Sequence, residues 1–189
     1  MAIKTFTTGE VLTASDTNTY LNNGGLVYIT STSATSGTSL SVNNCFTSTY
    51  TSYQIVITRA SVTASVTGFY LRLRASGTDT STNYYNIRTG YDYATSAIAT
   101  SAVNNGTQFE LGLIADTTNS ACIIDIHNPQ TTLKTTCSCK GADSRTTGYG
   151  NLTSGGMLNN TTSYDGFTIL SSPLTIAQLD VTVYGFRKA

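Results

Sequence analysis

Residues 68–77 read GFYLRLRASG, and the period of this stretch decides the class of the chain. Phe69, Leu71, Leu73 and Ala75 fall on one side, Tyr70, Arg72 and Arg74 on the other. An alternation of two means a strand with one face buried and one face wet. The Ser76-Gly77 pair that follows is a turn signal.

The same period recurs on both sides of this strand. YQIVITRA turns Tyr53, Ile55 and Ile57 inward, QFELGLIA does so with Phe109, Leu111 and Leu113, ACIIDIHN with Cys122, Ile124 and Ile126, and LDVTVYGFRK with Leu179, Val181 and Val183. Weaker strand signals lie at Leu26 to Thr30, Leu40 to Asn43, Tyr84 to Arg88, Leu133 to Cys139 and Gly166 to Leu170. With turn clusters at Asn43-Asn44, Asn104-Asn105-Gly106 and Gly155-Gly156, the expectation is roughly eight to ten strands in an antiparallel β-sandwich or jelly roll. ATSAIATSAVNNGT and KGADSRTTGYGNLTSGGMLNNTTSYDG read as long polar linkers presenting variable surface.

The N-terminus breaks the pattern. Thr13 is a hydroxyl at an N-cap with Asp16 three residues on, close to a capping box, and Thr17, Tyr20 and Leu21 follow at helical spacing until Asn22-Asn23-Gly24-Gly25 stops them. A helix this short is unstable alone in water and must dock on something. The organisation expected is therefore an all-β body at 26–189 preceded by an attachment segment with a short helix at 1–25.

Composition limits the function classes. The 189 residues carry ten basic and ten acidic groups, only 11% of the chain, so no field exists to draw in nucleic acid. No apolar run approaches the roughly 20 residues of a membrane span, and the N-terminal stretch MAIKTFTTGE lacks the apolar core of a secretory signal. A chain kept in a reducing compartment holds Cys45, Cys122, Cys137 and Cys139 as free thiols.

Residues with chemistry are scarce. The single histidine, His127, shares a strand face with Asp125 and has no second histidine to complete a zinc set. Cys137-Ser138-Cys139 puts two thiols on one strand face, where C-x-C does not wrap a metal and cysteine serves as a small core residue. There is no nucleophile elbow and no phosphate-binding glycine loop, and Glu110, Asp116 and Asp125 are the carboxylates left for a glycosidase reading. The expectation is a non-enzymatic protein with no cofactor and no metal. Tyrosine is the exception, twelve in all, clustered as Tyr84, Tyr85, Tyr91 and Tyr93 in NYYNIRTGYDY, and flat rings with polar tips suit subunit interfaces and sugar faces as well as half-exposed strands.

FTTGEVLTASDTNTYLNN resembles the N-terminal segment of tailed-bacteriophage tail-fibre and related virion proteins, where a G-x-V-L-T-A-S-D-x-N-x-Y-L run, here Gly9 to Leu21, precedes the first structural module. GFYLRLRASGTDTSTNYY (Gly68 to Tyr85) and the ending TSYDGFTILSSPLTIAQLDVTVYGFRK (Thr162 to Lys188) are similar to a β-sandwich module of tailed phages, including cyanobacterial and marine ones. The resemblance implies a virion protein made in the host cytoplasm, commonly a homotrimer, attached through Val11, Leu12, Thr13, Asp16, Tyr20 and Leu21 to other tail or capsid proteins. A short tail fibre or tail-associated adhesion module would then meet host surface glycans through Tyr84, Tyr85, Tyr91 and Tyr93. The alternative is a capsid decoration or cement protein or head fibre, and the third reading is a polysaccharide-degrading enzyme.

Overall fold

The structure, a computed structural model, describes residues 7–16, 25–143, 149–171 and 173–187. A single helical turn, α1 (Ala14–Asp16), precedes thirteen strands among the described residues: β1 (Leu26–Ala34), β2 (Ser39–Val42), β3 (Tyr50–Val62), β4 (Thr67–Ala75), β5 (Thr78–Asp79), β6 (Tyr84–Asp92), β7 (Ile98–Gly106), β8 (Phe109–Ala115), β9 (Ser120–His127), β10 (Thr135–Ala142), β11 (Tyr149–Leu158), β12 (Gly166–Leu170) and β13 (Ile176–Arg187). They form two antiparallel sheets packed face to face. The larger runs β1-β13-β3-β9-β10-β11-β6-β7, and the smaller runs β2-β12-β4-β5, with β8 also paired to β4.

The alternation read from the sequence sets the facing of the strands. Ile55 and Ile57, Ile124 and Ile126, and Val181 and Val183 line the inner side of the large sheet, and Phe69, Leu71 and Leu73 oppose them from β4 with Phe167 and Ile169 from β12. Each of these is fully or almost fully buried, so the core lies between the layers. The β4–β5 hairpin turns at Ser76-Gly77 with φ of 49° and 78°, left-handed at both positions as a two-residue hairpin requires.

Strand β8 has a different environment. It is hydrogen-bonded to β4 on one side and lies against β6, β10 and β11, so that Leu111, Gly112, Leu113, Ile114 and Ala115 are all buried. The approach is close enough that a Cβ on Gly112 would stand 2.6 Å from the carbonyl oxygen of Leu152. Glycine is needed there because two backbones meet where side chains normally separate sheets by about 10 Å.

Two expectations are corrected. The stretches read as linkers contain the whole of β7 and of β11, and Gly155-Gly156 lies inside β11 rather than in a turn. Their inward positions are largely Ala, Ser and Gly, so hydrophobic alternation is faint even though both strands pair along most of their length, with one register shift each against β6. Three buried tyrosines, Tyr53, Tyr84 and Tyr164, also belong to the core, each with its hydroxyl bonded.

Candidate functional site

The N-terminal segment presents its apolar side chains to solvent. Residues 7–15 are all exposed, Val11 at 79% and Leu12 at 47%. Thr13 and Asp16 close a reciprocal cap: the Asp16 N–H donates to Thr13 Oγ1 at 3.1 Å, and the Thr13 N–H and hydroxyl donate to Asp16 Oδ2 at 3.1 and 2.6 Å. This holds the start of a helix in place. Tyr20 and Leu21, assigned to the same face, lie outside the described residues.

The tyrosine cluster divides between the two sides of β6. Tyr84 points inward, has no exposed surface, donates its hydroxyl to Thr80 O at 3.0 Å and accepts the Leu73 N–H at 2.9 Å, with its ring edge-on to Phe109. It is a core residue, which corrects its assignment to a contact surface. Tyr85 is half-buried on the outer side, Tyr91 is exposed on that side, and Tyr93 is exposed just beyond the strand, its hydroxyl donating to Gly150 O at 3.3 Å.

Tyr85 and Tyr91 belong to the outer face of the eight-stranded sheet, which no described residue covers. Its register sets Tyr91 opposite Ile98 and Ile87 opposite Ala102; the exposed Ile87, Tyr91 and Ile98 stand as a ridge over β6 and β7, and a hollow of about 420 Å³ lies beside it between Ile87, Ala102 and Gly155-Gly156. Towards the middle of the sheet, Ala121 sits opposite Ala142 while Val56 faces Ile123. The small alanine side chains leave a trough of about 570 Å³ bounded by Val56, Ile123, Lys140, Asn151 and Thr153. Sequence reasoning missed Ile87, Ile98 and Ile123. The signal was present in ACIIDIHN, because alternation puts Ile123 and Ile124 on opposite faces.

The groups with possible chemistry are dispersed. His127 is exposed at the end of β9 with Nδ1 3.0 Å from Ser52 Oγ, while Asp125 accepts instead from Gln54 Nε2 at 3.1 Å. Glu110 accepts from Ser101 Oγ at 2.6 Å, and Asp116 accepts the Thr118 N–H and hydroxyl at the far end of β8, about 20 Å away by strand rise. A glycosidase pair needs about 5–9.5 Å. All four cysteines are free and buried. Burial pushes the Cys45 thiol up to about 12, and raises Cys137 and Cys122 well above the usual thiol range, Cys122 also through its hydrogen bond to Cys139. These thiols are unreactive core packing. Among the described residues no group of three His, Cys, Asp or Glu side chains is placed to hold a metal ion, and no helix is long and apolar enough to cross a membrane.

Fold and surface together define an all-β sandwich with an exposed N-terminal segment and one broad, uncovered sheet face. Comparison of the chain with known protein families, with characterised proteins and with solved structures finds no match in any of the three.

Proposed function

We propose that this chain is a structural subunit of a tailed-phage particle, a short tail fibre or tail-associated adhesion module that docks through its N-terminal segment and contacts the host surface with its β-body. The observation that carries the reading is the capped segment from Gly9 to Asp16, whose Val11 and Leu12 the β-body leaves uncovered, in the same residues that resemble phage attachment segments. Exposed apolar side chains on a held turn need a partner surface. Tyr91 and Tyr93 are the aromatic faces open to a sugar, and many weak contacts summed over the copies of a homotrimer give useful avidity.

The test is a full-length chain carrying Val11→Asp and Leu12→Asp, expressed in infected host cells. The β-body should fold with an unchanged circular dichroism spectrum while incorporation into particles is lost, and gold-labelled antibody against the unaltered chain should mark the tail. Normal incorporation of the double variant would overturn the docking role. Gold scattered over the head would replace the fibre by a capsid decoration protein.

A further inference from the structure

The two outer faces of the sandwich differ in a way the fold does not require. On the small sheet, Arg74 is tied by one guanidinium to Asp79 Oδ1 at 2.5 Å, Thr168 Oγ1 at 2.8 Å, Ser41 Oγ at 3.0 Å and Asn43 Oδ1 at 2.9 Å. Thr168 donates in turn to Asp79 at 2.8 Å. That face is finished with polar bonds linking β2, β12, β4 and β5. The outer face of the large sheet has polar bonds of its own, Gln54 to Asp125, Ser52 to His127 and Arg59 to Asp180, but they are separate pairs on β3, β9 and β13 and do not join into one network. Among the described residues, six of the eleven exposed large hydrophobic side chains lie on this face: Leu26, Tyr28, Ile87, Tyr91, Ile98 and Ile123. Its outward charges are Asp125, Lys140 and the Arg59–Asp180 ion pair at 2.5 Å.

We propose that this face is where copies of the chain associate, the ridge of Ile87, Tyr91 and Ile98 on one copy seating in the trough over Val56, Ala121, Ile123 and Ala142 of another. Charge selects the occupant. With one acid and one base beside an internal pair, and ten charges of each sign in the chain, the face offers no field to a nucleic acid or an anionic bilayer and no repulsion to its own copy. Shape agrees, since ridge and trough lie on different strands of one surface, so two copies can each supply what the other lacks.

Size agrees as well. Eight strands about 4.8 Å apart and about nine residues long make a face of about 1,000 Å², against about 800 Å² per partner in a stable interface. The sheet edges point the same way. β1 and β7, each nine residues, carry no charge and no proline, two of the devices that keep a free edge from pairing, although each pairing is interrupted by one register shift. A copy seated on the ridge shelters the β7 edge beside it.

The inference deepens the subunit reading above, and it is tested on purified protein, so a failure here is separable from a failure of particle labelling. Sedimentation velocity of the full chain at micromolar concentration should show a complex of two or more copies. Ile98→Lys on the ridge and Ile123→Glu in the trough should each weaken association by about tenfold or more. Mixing the two variants should restore it, because the new lysine meets the new glutamate. Val66→Glu and Leu133→Glu, at exposed apolar positions away from the face, should leave association unchanged. Should Ile123→Glu fail to fold, Ile123→Thr keeps the β-branched shape and is read in its place for weakened association alone, since threonine offers the new lysine no charge. A monomeric wild type, an equal loss in the Val66 and Leu133 controls, or failure of the mixture to recover would each overturn the proposal.

Discussion

Replacing Gly141 by alanine tests how the layers are held together. Gly141 lies on β10 between Cys122 of β9 and Leu152 of β11, and the carbonyl oxygen of Gly112 descends on it from β8. A methyl group there would stand 1.6 Å from that oxygen and 2.8 Å from its carbon, where ordinary contact begins at 3.4 Å. Strand β8 would have to lift by about 1.8 Å, and it is hydrogen-bonded to β4 and flanked by the buried Leu111 and Leu113. A gap of even 0.5–1 Å forfeits about a quarter to a half of the dispersion attraction beneath those side chains. Overpacking costs about 1–3 kcal/mol when side chains can yield. Here the obstacle is backbone, which puts the cost at the top of that range, and the entropy gained by removing a glycine from the unfolded chain returns only about 0.4–1 kcal/mol. The net expectation is a loss of about 2–3 kcal/mol, read as a fall in the urea midpoint of about 1 M at an unchanged slope near 2 kcal/mol/M. Gly155→Ala is the internal control, because its nearest obstacle, Cys137 O, is 3.8 Å away, and it should unfold within about 0.5 kcal/mol of wild type or later. If Gly141→Ala matches that control, the backbone-on-backbone contact does not govern the packing of β8 and the account given for both glycines fails.

Other outcomes follow from the buried polar groups. Tyr84→Phe leaves the Leu73 N–H and the Thr80 carbonyl unpaired in the core and should cost about 1–3 kcal/mol in urea unfolding, whereas Tyr91→Phe should change stability by less than about 0.5 kcal/mol. Cys45, Cys122 and Cys137 make stability fall in alkali: the unfolded thiols release protons near 9.0 while burial keeps the folded ones protonated, so the folded state binds more protons above that pH. Their contribution is complete below about pH 9 and declines above it by about 1.4 kcal/mol per pH unit for each thiol, that of Cys45 until about pH 12, and Cys45→Ala should flatten the decline measured by urea midpoints under reducing conditions. At pH 8 the native protein should resist an aromatic disulfide reagent, and all four thiols should react once denaturant is added.

The fold was legible wherever one face of a strand is strongly apolar. Phe69, Leu71 and Leu73, or Ile55 and Ile57, announce their strand and its inward face because water and core impose opposite demands on successive residues. Legibility failed at β7 and β11, whose inward positions include Ala99, Ser101, Ser154 and Gly156. Gly156 is in a strand because of its neighbour: a Cβ there would meet Tyr85 O at 2.1 Å, so pairing with β6 selects a residue that propensity scales count against strand. The requirement comes from a partner more than sixty residues away, and no local window contains it.

The candidate surface was harder to see for a related reason. Clustering in sequence linked Tyr84 with Tyr85, Tyr91 and Tyr93, but alternation sends Tyr84 into the core with its hydroxyl on Leu73, and only the outward members share a surface. What joins Tyr91 to Ile98 is the β6–β7 register, and what opens a trough beside Ile123 is the pairing of Ala121 with Ala142. Single exposed isoleucines are unremarkable on any protein, since more than half of a folded surface is apolar. Their alignment across adjacent strands is what distinguishes this face, and alignment is a property of register. The small sheet joins β2, β4, β5 and β12 through Arg74, whereas β6 and β7 of the large sheet turn Ile87, Tyr91 and Ile98 outward, and the proposed self-association rests on that asymmetry. If copies associate as proposed, the charge-poor composition leaves hydrophobic contact as the means of recognition between them.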